Sequence, residues 1–104
     1  MTRAIDPSLK VWSMYVVRCA DNSLYTGISP DVAARLAKHD VGKGARYLKG
    51  RGPLELAGQT VIGDRALASK VEWAFKRQTK RQKEICLGRP RGLDQFVADL
   101  VTKL

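Results

Sequence analysis

One histidine and two cysteines in 104 residues leave little material for a metal cage. A structural zinc centre takes four nitrogen or sulfur ligands. Here His39 is the sole imidazole, and Cys19 and Cys86 form no CxxC pair. Both thiols are expected to be reduced and structural, as is usual for cytoplasmic chains. Long apolar runs are missing as well. The stretch from Leu9 to Val17 is broken by Lys10 and Ser13 and is far too short to cross a bilayer. The N-terminus lacks the basic-then-apolar order of a signal peptide, so a cytoplasmic location is the expectation. Acid is also scarce, with 10 Asp and Glu against 19 Lys and Arg, a net charge of +9.

That excess is concentrated. Residues 42–51, "GKGARYLKGR", hold Lys43, Arg46, Lys49 and Arg51 without an acid. Residues 76–83, "KRQTKRQK", hold Lys76, Arg77, Lys80, Arg81 and Lys83, again without one. These nine cations equal the whole excess, so the remainder of the chain is balanced. A solubilising surface intersperses the two signs. Two basic blocks on a neutral body suit a polyanion instead, and nucleic acid is the commonest. Neither block lies on a helix rich in large apolar residues, which argues against a membrane surface.

The length suits one domain with a single core. Residues 1–8 read as a flexible N-terminal arm. Leu9 to Arg18 is β-branched and aromatic, hence a strand. Asp21-Asn22-Ser23 is turn chemistry, and Leu24 to Ile28 returns antiparallel. Ser29 is placed to cap a helix with Pro30 in its first turn and Asp31 on the dipole. Its buried stripe reads as Val32, Ala33, Leu36 and Ala37, and Gly42 ends it. Leu54 to Ile62 is a third strand whose internal glycine marks a bulge or a turn. A second helix from Gly63-Asp64 carries Leu67, Ala68, Val71, Ala74 and Phe75 at helical spacing. Thr79 caps a third, and residues 93–104 form a last amphipathic helix docked on the core. The expected fold is α+β: a small, three-stranded, mostly antiparallel sheet flanked by helices, with an extra C-terminal helix.

Several chemistry-bearing residues fall beside these stripes. Arg35 and His39 share a face of the first helix, and Glu72 lies at the edge of the second helix's stripe. Tyr15 and Tyr25 flank the hairpin turn in "MYVVRCADNSLYTGIS". Singly, each has an ordinary reading. The tyrosines suit strand packing; Glu72 suits an ion pair with Lys76; Arg35 can cover apolar surface with its stem; His39 can favour a helix end. Composition and spacing lead as far as a basic α+β domain that binds nucleic acid.

The order of these residues resembles the GIY-YIG nuclease superfamily, in its small stand-alone bacterial branch. The two tyrosine triplets correspond to Ser13-Met14-Tyr15 and Tyr25-Thr26-Gly27, followed by Arg35, His39 and then Glu72. The likeness runs from Val11 to Leu87, within a GIY-YIG-like domain of residues 9–88, with 89–104 packed on it as a helix. It implies a nuclease that hydrolyses DNA phosphodiester bonds with little sequence specificity, in repair or processing. DNA ranks ahead of RNA as its partner, and a protein partner is left open. Glu72 would hold a single Mg²⁺ or Mn²⁺, and Arg35 would clamp the scissile phosphate. Tyr15 would act as general base or orient the water, tuned by Arg35 or by passing its proton to His39. Tyr25 would bond the phosphate or the water. The family's later asparagine has no counterpart; Asn22, the only asparagine, stands in the hairpin turn, leaving Lys83 or Glu84 to serve. The alternative is a non-catalytic nucleic-acid-binding module on the same fold. On the catalytic reading, the five side chains meet in one solvent-reached cluster.

Overall fold

The computed structural model describes residues 10–104. The expected arm at 1–8, and Leu9, lie outside the described residues. Strands β1 (Trp12–Arg18), β2 (Leu24–Ser29) and β3 (Glu55–Gly63) form one sheet in the order β2-β1-β3. Both pairings are antiparallel, and the sheet is joined by four helices, as expected for this α+β class. These are α1 (Val32–Asp40), α2 (Arg65–Lys76), α3 (Lys80–Gly88) and α4 (Gly92–Val101). None of the described helices is long and apolar enough to cross a membrane.

The central strand explains the layering. Met14, Tyr15, Val16 and Val17 are all buried, so β1 is dry on both faces. Alternation along a strand sends successive side chains to opposite sides. Met14 and Val16 pack with Val71, Phe75 and Leu93 beneath α2 and α4. Tyr15, Val17 and Cys19 point the other way, onto Leu48, Val32 and Leu36. The second face is therefore built by α1 and the basic loop, in which a 3₁₀ turn, Arg46–Leu48, drives Leu48 into the core. The expected irregularity at the β3 glycine is a bulge. Val16 opposes Gly58 while Val17 opposes Leu56, leaving Ala57 as the extra residue.

Several boundaries differ from expectation, each for a local reason. Regular pairing in β1 starts at Trp12, and Lys10 and Val11 precede it. The cap of α1 is Asp31, whose carboxylate accepts from the Ala34 amide at 3.1 Å. The Ser29 hydroxyl instead accepts from the Asp31 amide, so Pro30 stays outside the helix. The inward face of α1 is Val32, Arg35, Leu36 and His39, while Ala33 and Ala37 are exposed. A small helix crossing a sheet edge can bury longer polar side chains where they find partners. α4 ends at Val101; Leu93, Phe96, Val97 and Leu100 pack inward, but Val101 and Leu104 face water. The caps of α2 and α3 are Asp64 and Thr79, the latter in a capping box with Gln82.

Two polar ties fasten the outer helices to the sheet. The buried Thr60 hydroxyl donates to Asp94 at 2.7 Å, tying α4 to β3. Arg18 at the end of β1 donates to both oxygens of Glu84 on α3, at 2.8 and 2.7 Å. That fork holds the Glu84 carboxyl down at about 2, with Lys80 assisting. Glu84, one of the two candidates for the missing asparagine's role, is thus committed to holding α3. Asn22 is structural too: it sits at a φ of 70° in the turn and accepts from Arg18.

Replacing Glu84 by Gln should destabilise the protein at pH 7 by about 1–2 kcal/mol, a charge-assisted bond discounted for partial exposure. Because the folded carboxyl titrates below its ordinary value of 4.5, the contribution is present above that pH and disappears as pH falls towards about 2. Denaturant melts of both proteins at pH 7 and below pH 3 check this; an equal difference at both pH values would rule the bond out as the source.

Candidate active site

The second face of the sheet carries a hydrogen-bonded chain. The Tyr15 hydroxyl and His39 Nε2 are 2.9 Å apart, and the Ala45 amide donates to His39 Nδ1 at 3.1 Å. An amide N–H can only donate, so Nδ1 carries no proton and the neutral ring holds its proton on Nε2. His39 therefore donates to Tyr15. The loop after α1, through Ala45, sets the tautomer of a side chain on α1, a connection that spacing within a helix cannot reveal.

Two glycines make room for this chain. Gly27 lies opposite Tyr15 in the β1–β2 register, and a Cβ there would overlap the Tyr15 hydroxyl. A Cβ at Gly44 would overlap the His39 ring. The glycine of the second triplet is thus required by the tyrosine of the first.

The electrostatics of Tyr15 differ from the expected tuning. Burial pushes its pKa up from the ordinary value of 10.0; the nearby Arg35 guanidinium opposes this, while Tyr25 and Glu72 add to it. The net direction is upward, so the phenol keeps its proton at neutral pH. His39 is moved down from 6.5, first by burial and then by the Arg35 charge, with Asp40 opposing. Its second nitrogen already faces the Ala45 N–H, so a second proton has no acceptor there. The expected transfer of a proton from Tyr15 to His39 is corrected by this geometry: His39 is a donor to the hydroxyl, and the hydroxyl retains a proton to give.

The remaining members gather around this pair. Tyr25 lies 6.4 Å from the Tyr15 ring and 5.8 Å from His39, centroid to centroid. Arg35 and Glu72 are near enough to bias the Tyr15 proton in opposite directions. Tyr15 itself is only 1% exposed, so the cluster is not an open bowl around it. Tyr25, Arg35 and Glu72 are each half-buried. The Glu72 side chain is 21% exposed and pairs with Lys76 at 3.3 Å, the ordinary helix pairing. Among the described residues no group of three His, Cys, Asp or Glu side chains forms a metal cage. A lone carboxylate at a polar edge nevertheless suits Mg²⁺ or Mn²⁺, since magnesium characteristically takes one or two carboxylates and completes its shell with water and substrate phosphate. Glu72 fits that role.

The basic residues divide by what they touch. Lys43, Arg46 and Lys49 stand exposed on the loop beside His39. Arg51 does not: it pairs with Asp21 at 2.9 Å and lies 4.3 Å over the Tyr47 ring, which stacks on Tyr25 at 5.9 Å. Its guanidinium pins the basic loop to the hairpin. In the second block Lys76 and Lys80 meet Glu72 and Glu84, and Arg77 lies over Trp73. Arg81 is exposed and Lys83 half-buried. Sequence reasoning passed over Tyr47 and Trp73. The available signal was an aromatic set between cations in the first case, and an aromatic outside the apolar stripe in the second.

A family model described as the GIY-YIG catalytic domain matches residues 11–85. A UPF0213 protein of Citrobacter koseri is 47% identical over 91 residues, covering 88% of this chain and 91% of that protein. The UPF0213 protein YhbQ of Salmonella typhimurium is 45% identical over 91 residues, with the same coverage of 88% and 91%. Among solved structures, the solution NMR structure of a UPF0213 protein from Bacillus halodurans is similar, with 34% identity and a TM-score of 0.50 over 81% of this chain and 93% of that one. A solution structure of a protein from E. faecalis gives 34% identity and a TM-score of 0.52, over 73% and 82% of the two chains.

As the only histidine, His39 offers a direct check of the site. Its ring should titrate below 6.5 and carry its proton on Nε2 at neutral pH, both readable from imidazole NMR signals. A folded pKa below the unfolded one means that the unfolded chain takes up the proton first, so this residue lowers stability as pH falls through that region. A ring protonated on Nδ1, or titrating above 6.5, would contradict the geometry.

Proposed function

The chain belongs to the GIY-YIG family, and from that membership we propose that it is a divalent-metal-dependent nuclease acting on DNA phosphodiester bonds with little sequence preference. One observation supports this above others. A buried phenol, hydrogen-bonded to His39, lies in the combined field of Tyr25, Arg35 and Glu72, residues that the chain brings together from three elements. A cytoplasmic setting, with Cys19 and Cys86 as free thiols, belongs to the same reading.

Hydrolysis of a phosphodiester needs an oriented water and compensation of charge on the phosphate. Arg35 supplies a planar fork of donors for the phosphate oxygens. Tyr25 donates to the same group. Tyr15 accepts from His39, which fixes the direction of its own proton towards the water or phosphate. A phenol raised above its ordinary pKa is a poor base at pH 7 and a good donor, so Tyr15 positions the nucleophile rather than deprotonating it. Glu72 would hold Mg²⁺ or Mn²⁺, which when bound offsets negative charge developing at the leaving oxygen. Lys43, Arg46 and Lys49 add affinity that does not depend on sequence.

A second reading, a nucleic-acid-binding module without efficient chemistry, draws on one observation. Glu84 is taken up by Arg18, so it cannot stand in for the family's later asparagine.

With Mg²⁺ or Mn²⁺ the protein should nick or degrade DNA, and Glu72→Gln should slow this by about 10²–10³-fold or more while leaving DNA binding intact. Cleavage by the variant at the wild-type rate would remove the catalytic reading; binding without cleavage by the wild type would select the second. Reversing the charge of Lys43, Arg46 and Lys49 together should weaken binding and lessen its dependence on salt by roughly one counterion per lost contact. Fluorescence anisotropy across a salt series measures both, and an unchanged slope would exclude this loop from the interface.

A further inference from the structure

Trp73 is 62% exposed and is the largest side chain among the described residues left so far in water. A helix advances about 100° per residue, so the three successive positions Val71, Glu72 and Trp73 face the core, the flank and the solvent. The indole therefore stands immediately around the helix from the candidate metal carboxylate. Isolated exposed apolar residues are ordinary on protein surfaces. The surroundings of this one are not apolar: Lys70 lies three residues before it, and Lys76 and Arg77 lie three and four after. The Arg77 guanidinium is 4.5 Å from the ring centroid, and among the described residues Arg77 and Lys70 make no ion pair.

An aromatic face set among cations is the combination that holds single-stranded nucleic acid, where bases stack on rings while the backbone follows positive charge. With Arg77 on one side, the ring's exposure leaves its other side open. An acidic peptide would satisfy the cations but brings no π-face to the indole. A base within an intact duplex has both faces occupied by its neighbours, so only an unpaired base can use this surface.

Resting on the nuclease reading, we infer that Trp73 is a stacking post for an unpaired base next to the Glu72 site, and that the substrate surface accepts single-stranded DNA or a single-stranded segment beside a duplex. Lys70 and Arg77 hold the flanking phosphates.

The test is a binding titration in EDTA, which separates it from cleavage. Trp12→Phe leaves Trp73 as the sole indole, and oligo-dT should quench its emission; if that variant fails to fold, the wild type minus Trp73→Phe difference spectrum gives the same readout. Trp73→Ala should weaken oligo-dT binding about 5–150-fold while Trp73→Phe retains most of it. The salt slope should not change, because no charge is removed. A blunt duplex of equal length should lose less than about 2-fold on the same substitution, as no unpaired base stacks there. Unaltered oligo-dT affinity in Trp73→Ala, or equal quenching by polyglutamate, would overturn the inference. Should that happen while Glu72→Gln still abolishes cleavage, the nuclease reading stands alone; if the wild type binds no nucleic acid, both fall.

Discussion

The placement of Tyr15 follows from the burial of β1 on both faces. A middle strand that touches water on neither side must divide its residues between two cores, and the pleat makes that division strictly alternate. Met14 and Val16 go to the helical core, and Tyr15, Val17 and Cys19 to the face under α1. A slip of one residue in the register would send Tyr15 beneath α2 and take Gly27 away from it. The same constraint explains why the first triplet tolerates Ser13-Met14: those positions answer to packing and pairing, whereas Tyr15 answers to the cluster it enters.

A buried phenol next to a buried imidazole is a polar pair in a dry place, and such pairs persist only when each hydrogen-bonding group is served. The Ala45 amide donates to His39 and His39 donates to Tyr15, so both imidazole nitrogens and the phenol oxygen are served. This arrangement suits two neutral rings, with His39 as the donor and the Tyr15 oxygen as the acceptor. Burial alone would raise the phenol further; Arg35 offsets part of that. Glu72, in contrast, is partly exposed and pairs with Lys76.

The positive charge of the molecule is less uniform than its total suggests. Arg51 fastens the basic loop to the hairpin turn through Asp21 and Tyr47, so one cation of that loop organises the others. Lys43, Arg46 and Lys49 remain on the surface that flanks His39. On α2 and α3 two lysines lean on carboxylates, pairs that are weak at exposed positions and leave the lysines able to exchange partners.

Strand count, helix order, the start of α2 near Asp64, the cap at Thr79 and an irregularity at the β3 glycine were legible in the sequence, because each depends on residues within a few positions of one another. Tyr15, Tyr25, Arg35, His39 and Glu72 stood out as a set only through their resemblance to the GIY-YIG pattern, since composition and spacing stopped at a basic α+β domain. Other properties came from contacts between distant segments. The stripe of α1 shifted from Ala33 and Ala37 to Arg35 and His39, and His39 finds partners in Tyr15 and the Ala45 amide. The direction of the Tyr15–His39 bond was decided by an amide in the next loop, and the fate of Arg51 and Glu84 by carboxylate and guanidinium partners 30 and 66 residues away. Local spacing determines which side chains share a face; only the folded chain decides which donor meets which acceptor, because hydrogen bonds and burial are settled by distances of a few ångströms between residues that the sequence holds far apart.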